Sequence, residues 1–194
     1  MCAVELQKLH PATTELYTAL YGPRFAVQSS DAFARAIGYP QSPVDDVLVF
    51  HIVFGKTVPD VSLNAVANLG YAGCRFLAPV YPGDTLSTVS EVIGLKENSN
   101  GRTGVVWVRS TATNQRGEVA IDWARWVMVH KRSAQSPAPE TVVPALADAV
   151  AAPDLVGRAG RALLRQAVSV PSTKPMVRWR ASLSVNCCGG DFMK

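Results

Sequence analysis

The residues best equipped for chemistry gather between positions 55 and 64. Gly55, Lys56 and Thr57 come directly before VPDVSLNAVANLG, a stretch with helical spacing. The first N–H groups of a helix lack partners within it and the dipole there is positive, so an oxygen gaining negative charge could be held at that place. Asp60 and Asn64 stand one helical turn apart and would share a face. Asp60 also follows Thr57 by three residues, where a carboxylate caps a helix without any chemical duty. Lys56 could meet a carboxylate or a phosphate, or stand in solvent. His10 and His130 have no companions of useful type. The four cysteines, Cys2, Cys74, Cys187 and Cys188, make no CxxC pair and no zinc spacing with histidine. Neither a disulfide framework nor a metal site is expected, and a reducing compartment is.

The elements that must position these residues follow from periodicity. Thr57 as cap, Pro59 near the first turn and Gly70 as terminator predict a central helix between them. Val58, Val61, Ala65, Val66 and Leu69 form its buried stripe, and Leu63 and Ala67 add a second apolar flank, as in a helix wrapped by other structure. The apolar run Val47 to Phe54 leads into it. Two shorter helices are expected over Ala12 to Gly22, capped by Thr13 or Thr14, and over Ser30 to Gly38, with Phe33, Ala36 and Ile37 buried; YPQSPVDD is a loop. After the central helix the period changes to two. Asp84 to Leu95, Thr103 to Thr113 and Val119 to His130 read as long strands joined by the Asn/Gly turns ENSNGR and NQRGE. Trp107, Trp123 and Trp126 fall where sheet faces need packing. The result is an α+β unit, a curved antiparallel sheet around one helix, over residues 1 to 132. An extended Pro/Ala-rich linker over 133 to 153 and a basic tail over 154 to 194 follow.

Composition narrows the class. With 194 residues, 48% hydrophobic and 18% charged, the chain can bury a sizeable core. Its net charge of +4 would ordinarily raise nucleic acid or a membrane surface as partners. The excess is local, however. Residues 154 to 194 hold seven Lys/Arg against two Asp, which leaves the first 153 residues at −1. No basic segment followed by an apolar core opens the chain, and no apolar run approaches the roughly 20 residues of a membrane span, so the cytoplasm is expected.

Several segments resemble a known family. They are LYTALYGPRFAVQSS (16–30), VFHIVFGKTVPDVSLNAVANLGYAGCRFLAPVYPGDTLSTVSEVIGL (49–95), TGVVWVRSTATNQ (103–115) and WVMVHKRSAQSPAPETVVP (126–144). Together they resemble the MaoC-like hot-dog hydratases, in particular the two-module acyl-coenzyme A hydratases that act on mesaconyl-coenzyme A. The resemblance spans residues 13 to 148. It implies a hot-dog fold and hydration or dehydration of a branched short-chain enoyl-coenzyme A. It also implies coenzyme A only as part of the substrate, no metal, and a homodimer through paired sheets. Two departures stand out. The front looks short of the strand that usually precedes the LYTALYG helix. The tail, which has no second RFLAPVYPGD-like segment, reads either as a frameshift near residue 155, which could leave it disordered, or as a genuine basic tail, and the sequence leaves open whether it folds.

Hydration of an enoyl thioester needs a base, an acid and donors for the thioester oxygen. The family uses an Asp and a His separated by four residues, and Asp46 and His51 have that spacing, with four apolar residues between them. The bland alternative is a hydrogen-bonded core His51 and a solvated Asp45–Asp46 pair. The resemblance further implies that the backbone around Gly55 approaches the thioester. In two-module relatives the working pair is expected on the second module, with this one shaping the acyl pocket. A noncatalytic half that binds acyl thioester or a partner module is therefore the second hypothesis. Hot-dog thioesterases place an acidic residue on the central helix, and Asp60 makes hydrolysis the third.

Overall fold

A computed structural model of the chain describes residues 5–133 and 135–147, all within one compact unit. Expectations about the tail over 154 to 194 lie outside the described residues.

The alternating apolar segments form the sheet. Strands β3 (Thr85–Glu97), β4 (Thr103–Asn114) and β5 (Val119–His130) agree with their expected bounds to within about two residues. Both hairpins use the expected turn chemistry. Asn100 Oδ1 accepts from the N–H of Arg102 and Thr103, Asn114 Oδ1 accepts from that of Arg116 and Glu118, and Gly101 and Gly117 take positive φ of 64° and 79°. Two further strands complete a sheet of order β1-β3-β4-β5-β2, antiparallel throughout. Strand β1 (Glu5–Lys8) pairs with Thr85–Thr88 of β3. It supplies the strand the front looked to lack; four residues are too few to show a period.

The central helix is not where the sequence placed it. Helix α4 covers Asp46–Thr57, the π-helical turn Val58–Ser62 follows, and the rest of the expected helix is strand β2 (Ala65–Phe76). Asp45, not Thr57, is the N-cap, its side chain accepting from the N–H of Val47 at 2.8 Å. The β-branched run VLVFHIVF is a poor helix former by propensity. Burial against the sheet overrides that, because the run is apolar around most of its circumference. Pro59 follows the helix instead of opening it, a common place for proline. Gly70 stops no helix. It lies in mid-strand where an added Cβ would sit 2.5 Å from Cζ2 of Trp126.

Leu48, Val49 and Val53 of α4 pack with Leu86, Ile121 and Trp123 of the sheet, so the sheet curls around the helix. Three register shifts along β2 bend its side of the sheet. Peripheral helices are α1 (Pro11–Tyr21), α2 (Ala26–Ser29), which the sequence did not disclose, and α3 (Asp31–Ala36). His10 rather than Thr13 or Thr14 caps α1, its Nδ1 accepting from the N–H of Ala12, while Ser30 caps α3 as expected. Ala34 is the buried residue of α3, and Phe33 and Ile37 stay 44% exposed.

The stretch read as a linker is fastened to the free edge of β3 beyond its pairing with β1. Val142 exchanges two backbone hydrogen bonds with Leu95, of 2.8 and 2.9 Å. Farther along, Ala145 to Ala147 lie beside Ala72 of β2 and Ala124 of β5. No helix among the described residues is long and apolar enough to cross a membrane.

Candidate active site

The two ends of α4 have opposite electrostatic character. At the N-terminal end the buried Asp45 receives Arg24 on both oxygens, Nε at 3.1 Å and Nη2 at 3.2 Å, while capping the helix. Asp46, half-buried, has no hydrogen-bond partner among the described residues. It lines a cavity of about 270 Å³ together with Phe25, Gln28, Tyr39 and Phe76. Burial pushes the Asp46 carboxyl above the usual carboxylate range, the Asp45 charge pushes it the same way, and Arg24 partly offsets both. The Gln28 Oε1 atom in the same cavity wall is buried without a partner. A carboxyl held toward its neutral form, beside the positive end of a helix dipole, is suited to giving up a proton to a substrate atom.

His51 does not join Asp46. A separation of five residues on a helix turns the side chains roughly 140° apart around the axis. The exposed His51 borders a different, open pocket with Gln7, Gly55 and Lys56. Within one chain the expected pair therefore faces two cavities. His51 is no core histidine either, and of the two adjacent aspartates only the bland reading of a solvated pair is overturned outright, by the burial of Asp45.

The expected oxyanion site is at the wrong end of the helix. Gly55, Lys56 and Thr57 form the last turn of α4, where the dipole is negative and their N–H groups are spent on carbonyls one turn back. An added Cβ at Gly55 would meet nothing within 4 Å, so no close approach requires glycine there. Thr57 is buried, its Oγ1 donating to the Phe54 carbonyl at 2.8 Å. Asp60 lies in the π-helical turn and Asn64 beyond it, both exposed, so they do not share the face of a central helix. The hydrolytic reading that rested on Asp60 loses its geometry.

The sequence reading missed Arg125. This fully buried residue of β5 stands opposite Tyr71 of β2. Its Nη2 donates to the Thr57 carbonyl at 3.1 Å and to Thr57 Oγ1 at 2.9 Å, and its guanidinium carbon lies 4.6 Å from the Phe54 ring centroid. A cation closing the C-terminal end of a helix complements its dipole. Nε and Nη1 of Arg125 and Nε1 of Trp123 are buried without acceptors. Burial lowers the Arg125 pKa, with Tyr71 countering in part. In front of this group Phe50 packs against Phe54, Tyr71 and Trp123 with centroids 5.5 to 6.1 Å apart. The signal was present: Arg125 falls on the inward phase of the alternation Ile121, Trp123, Val127, where an arginine is out of place unless it has work.

Comparison with known proteins gives a consistent picture. The MaoC-like domain family matches residues 3–115. Over 140 residues the chain is 64% identical to β-methylmalyl-CoA dehydratase of Chloroflexus aurantiacus, covering 72% of this chain and 40% of that protein. It is likewise 64% identical over 141 residues to mesaconyl-CoA hydratase of Cereibacter sphaeroides, covering 73% and 41%. The chain thus spans about two fifths of the length of these relatives. A crystallised MaoC-domain dehydratase of Chloroflexus aurantiacus superposes with a TM-score of 0.71 at 60% identity, over 74% of this chain and 41% of that one. A Mycobacterium tuberculosis protein described as having a double hot-dog fold superposes at 0.60 with 25% identity, over 71% and 45%. The curled sheet around α4 is the hot-dog arrangement.

Proposed function

The chain belongs to the MaoC-like domain family, and on that premise we propose that it serves as a hot-dog module of an acyl-coenzyme A hydratase/dehydratase. Its substrate is a branched short-chain enoyl-coenzyme A such as mesaconyl-coenzyme A. The observation that carries the proposal is the 64% identity to two proteins named for that chemistry. Coenzyme A enters as part of the substrate, no further cofactor is invoked, and the cytoplasm is the compartment. Among the described residues strand β2 ends the sheet with an unpaired edge and exposes Val66, Leu69 and Tyr71, which supports a second hot-dog module, in a homodimer, as its partner. Nucleic acid and membrane have no place in this proposal.

Asp46 is the group in this chain best suited to proton transfer. The facing of Asp46 and His51 into separate cavities favours a second reading, a module that binds the acyl thioester while another module performs the chemistry. A hydration assay on mesaconyl-coenzyme A separates them. Loss of general acid catalysis costs on the order of a hundredfold or more in rate. Measurable turnover that falls to this extent in Asp46→Asn supports the catalytic module. Thioester binding without turnover supports the binding half, and release of free thiol refutes both.

A further inference from the structure

We propose that Arg125 is the specificity-determining cation of this module, and that its unpartnered N–H groups receive the free carboxylate of a dicarboxylic acyl thioester. The inference rests on the acyl-coenzyme A reading above and adds to it which residue recognises which part of the substrate.

A buried guanidinium must be compensated, because taking a charge out of water without an opposite charge is strongly unfavourable. Among the described residues no carboxylate forms an ion pair with Arg125. Its partners among those residues are one carbonyl and one hydroxyl of Thr57, both on Nη2, and the Phe54 ring 4.6 Å from the guanidinium carbon. Closing the end of α4 therefore accounts for one nitrogen of three. The Nε and Nη1 hydrogens remain without acceptors, and so does Nε1 of Trp123, two residues away on the same face of β5. The unpartnered atoms there are all donors, and the group that satisfies donors around a fixed positive charge is an anionic oxygen.

The place is within reach of a substrate. The guanidinium lies behind the Phe54 ring, which contacts Tyr71 at 6.0 Å between centroids. Tyr71 is 46% exposed and belongs to the edge strand β2, so the rings of Phe54 and Tyr71 lie between the cation and the surface. A short acyl chain that displaces the Tyr71 ring would lie against Phe50 and Phe54 and end at Arg125. Mesaconyl and β-methylmalyl groups both carry a free carboxylate at the end remote from the thioester, which gives the chain such an anion to recognise.

The test compares mesaconyl-coenzyme A with 2-methylbut-2-enoyl-coenzyme A, in which a methyl group replaces that carboxylate, by isothermal titration of the full chain. A charge-assisted hydrogen bond corresponds to about ten- to a hundredfold in affinity. The native chain should prefer mesaconyl-coenzyme A by that factor. Arg125→Gln should abolish the preference by weakening the mesaconyl thioester alone, with the analogue unchanged within threefold. Equal loss for both thioesters would show a merely structural arginine and overturn the proposal, as would a preference retained in the variant. No preference in the native chain overturns this inference while leaving the acyl-coenzyme A reading intact; binding of neither thioester overturns both. If Arg125→Gln fails to fold by circular dichroism, Arg125→Lys, which keeps a cation near Thr57, takes its place. An undiminished preference there counts against the proposal and at least a threefold reduction supports it. Should Arg125 instead meet a carboxylate of a second copy, Arg125→Gln would dissociate the dimer in sedimentation and leave the preference untouched, which also refutes it.

Discussion

Asp45 and Asp46 are neighbours in the chain held under opposite electrostatic conditions. Asp45 is buried with a guanidinium on both oxygens and an N–H to cap, while Asp46 is half-buried beside it, its carboxyl raised by burial and by that first charge and only partly relieved by Arg24. A single peptide bond thus separates a carboxylate that caps the helix and pairs with Arg24 from a carboxyl pushed toward neutrality at a cavity.

The Asp46 shift gives stability a pH dependence of known sign. Its folded-state pKa lies above the unfolded value near 3.8, so its contribution is full below that value and is lost as pH rises through the folded pKa. Asp46→Asn removes the loss. The variant should gain melting temperature relative to the native chain at pH 7, and the difference should shrink toward zero at pH 3.5. A constant difference across that range refutes the assignment.

Asp45 should behave as a cap. Asp45→Ala removes the acceptor for Val47 and strands Arg24, and should destabilise by about 1–2 kcal/mol in urea unfolding. Asn keeps capping ability, so Asp45→Asn should cost clearly less. Equal losses would mean that the ion pair, not the cap, dominates.

Two glycines should respond in opposite directions to the same change. At Gly70 a new methyl meets Trp126 at 2.5 Å, and Gly70→Ala should destabilise by roughly 1–3 kcal/mol. At Gly55, in the last turn of α4 with open space around it, Gly55→Ala should stabilise by about 0.5–1 kcal/mol. A loss at Gly55 would reinstate a close approach to its backbone.

The segment over β3 is sensitive to one atom. At Gly94 a Cβ would lie 2.6 Å from both Pro144 Cδ and the Val142 carbonyl oxygen. Gly94→Ala should therefore lift residues 135–147, and limited proteolysis should cleave there faster than in the native chain while the hairpins stay protected.

How much of this the sequence disclosed depends on whether a local pattern decides the outcome. The strands β3 to β5 were legible because their alternation and their Asn/Gly turns point the same way. The helix was displaced by nearly its own length. Thr57, Pro59, Asp60 and Gly70 mimic the start and stop signals of a helix, while the real one is built from β-branched residues that only the enclosing sheet makes helical. Of the candidate site, the spacing of Asp46 and His51 was visible. Their divergence was not, since five residues can converge in a loop but diverge on a helix. Arg125 escaped notice because its role depends on a helix end brought to it from 68 positions away in the chain.

The hydrogen bonds between Val142 and Leu95 also bear on how the protein is made. During synthesis, β1 through β5 can pair before Val142 and Pro144, which lie against Gly94, have left the ribosome, so the sheet first forms with that stretch of the β3 edge unpaired. An unpaired strand edge is a template for pairing with another chain, and the segment beyond β5 occupies part of that edge only late in synthesis. Cutting the chain at Arg132, the boundary that the last strand invites, would leave the module permanently at that vulnerable stage.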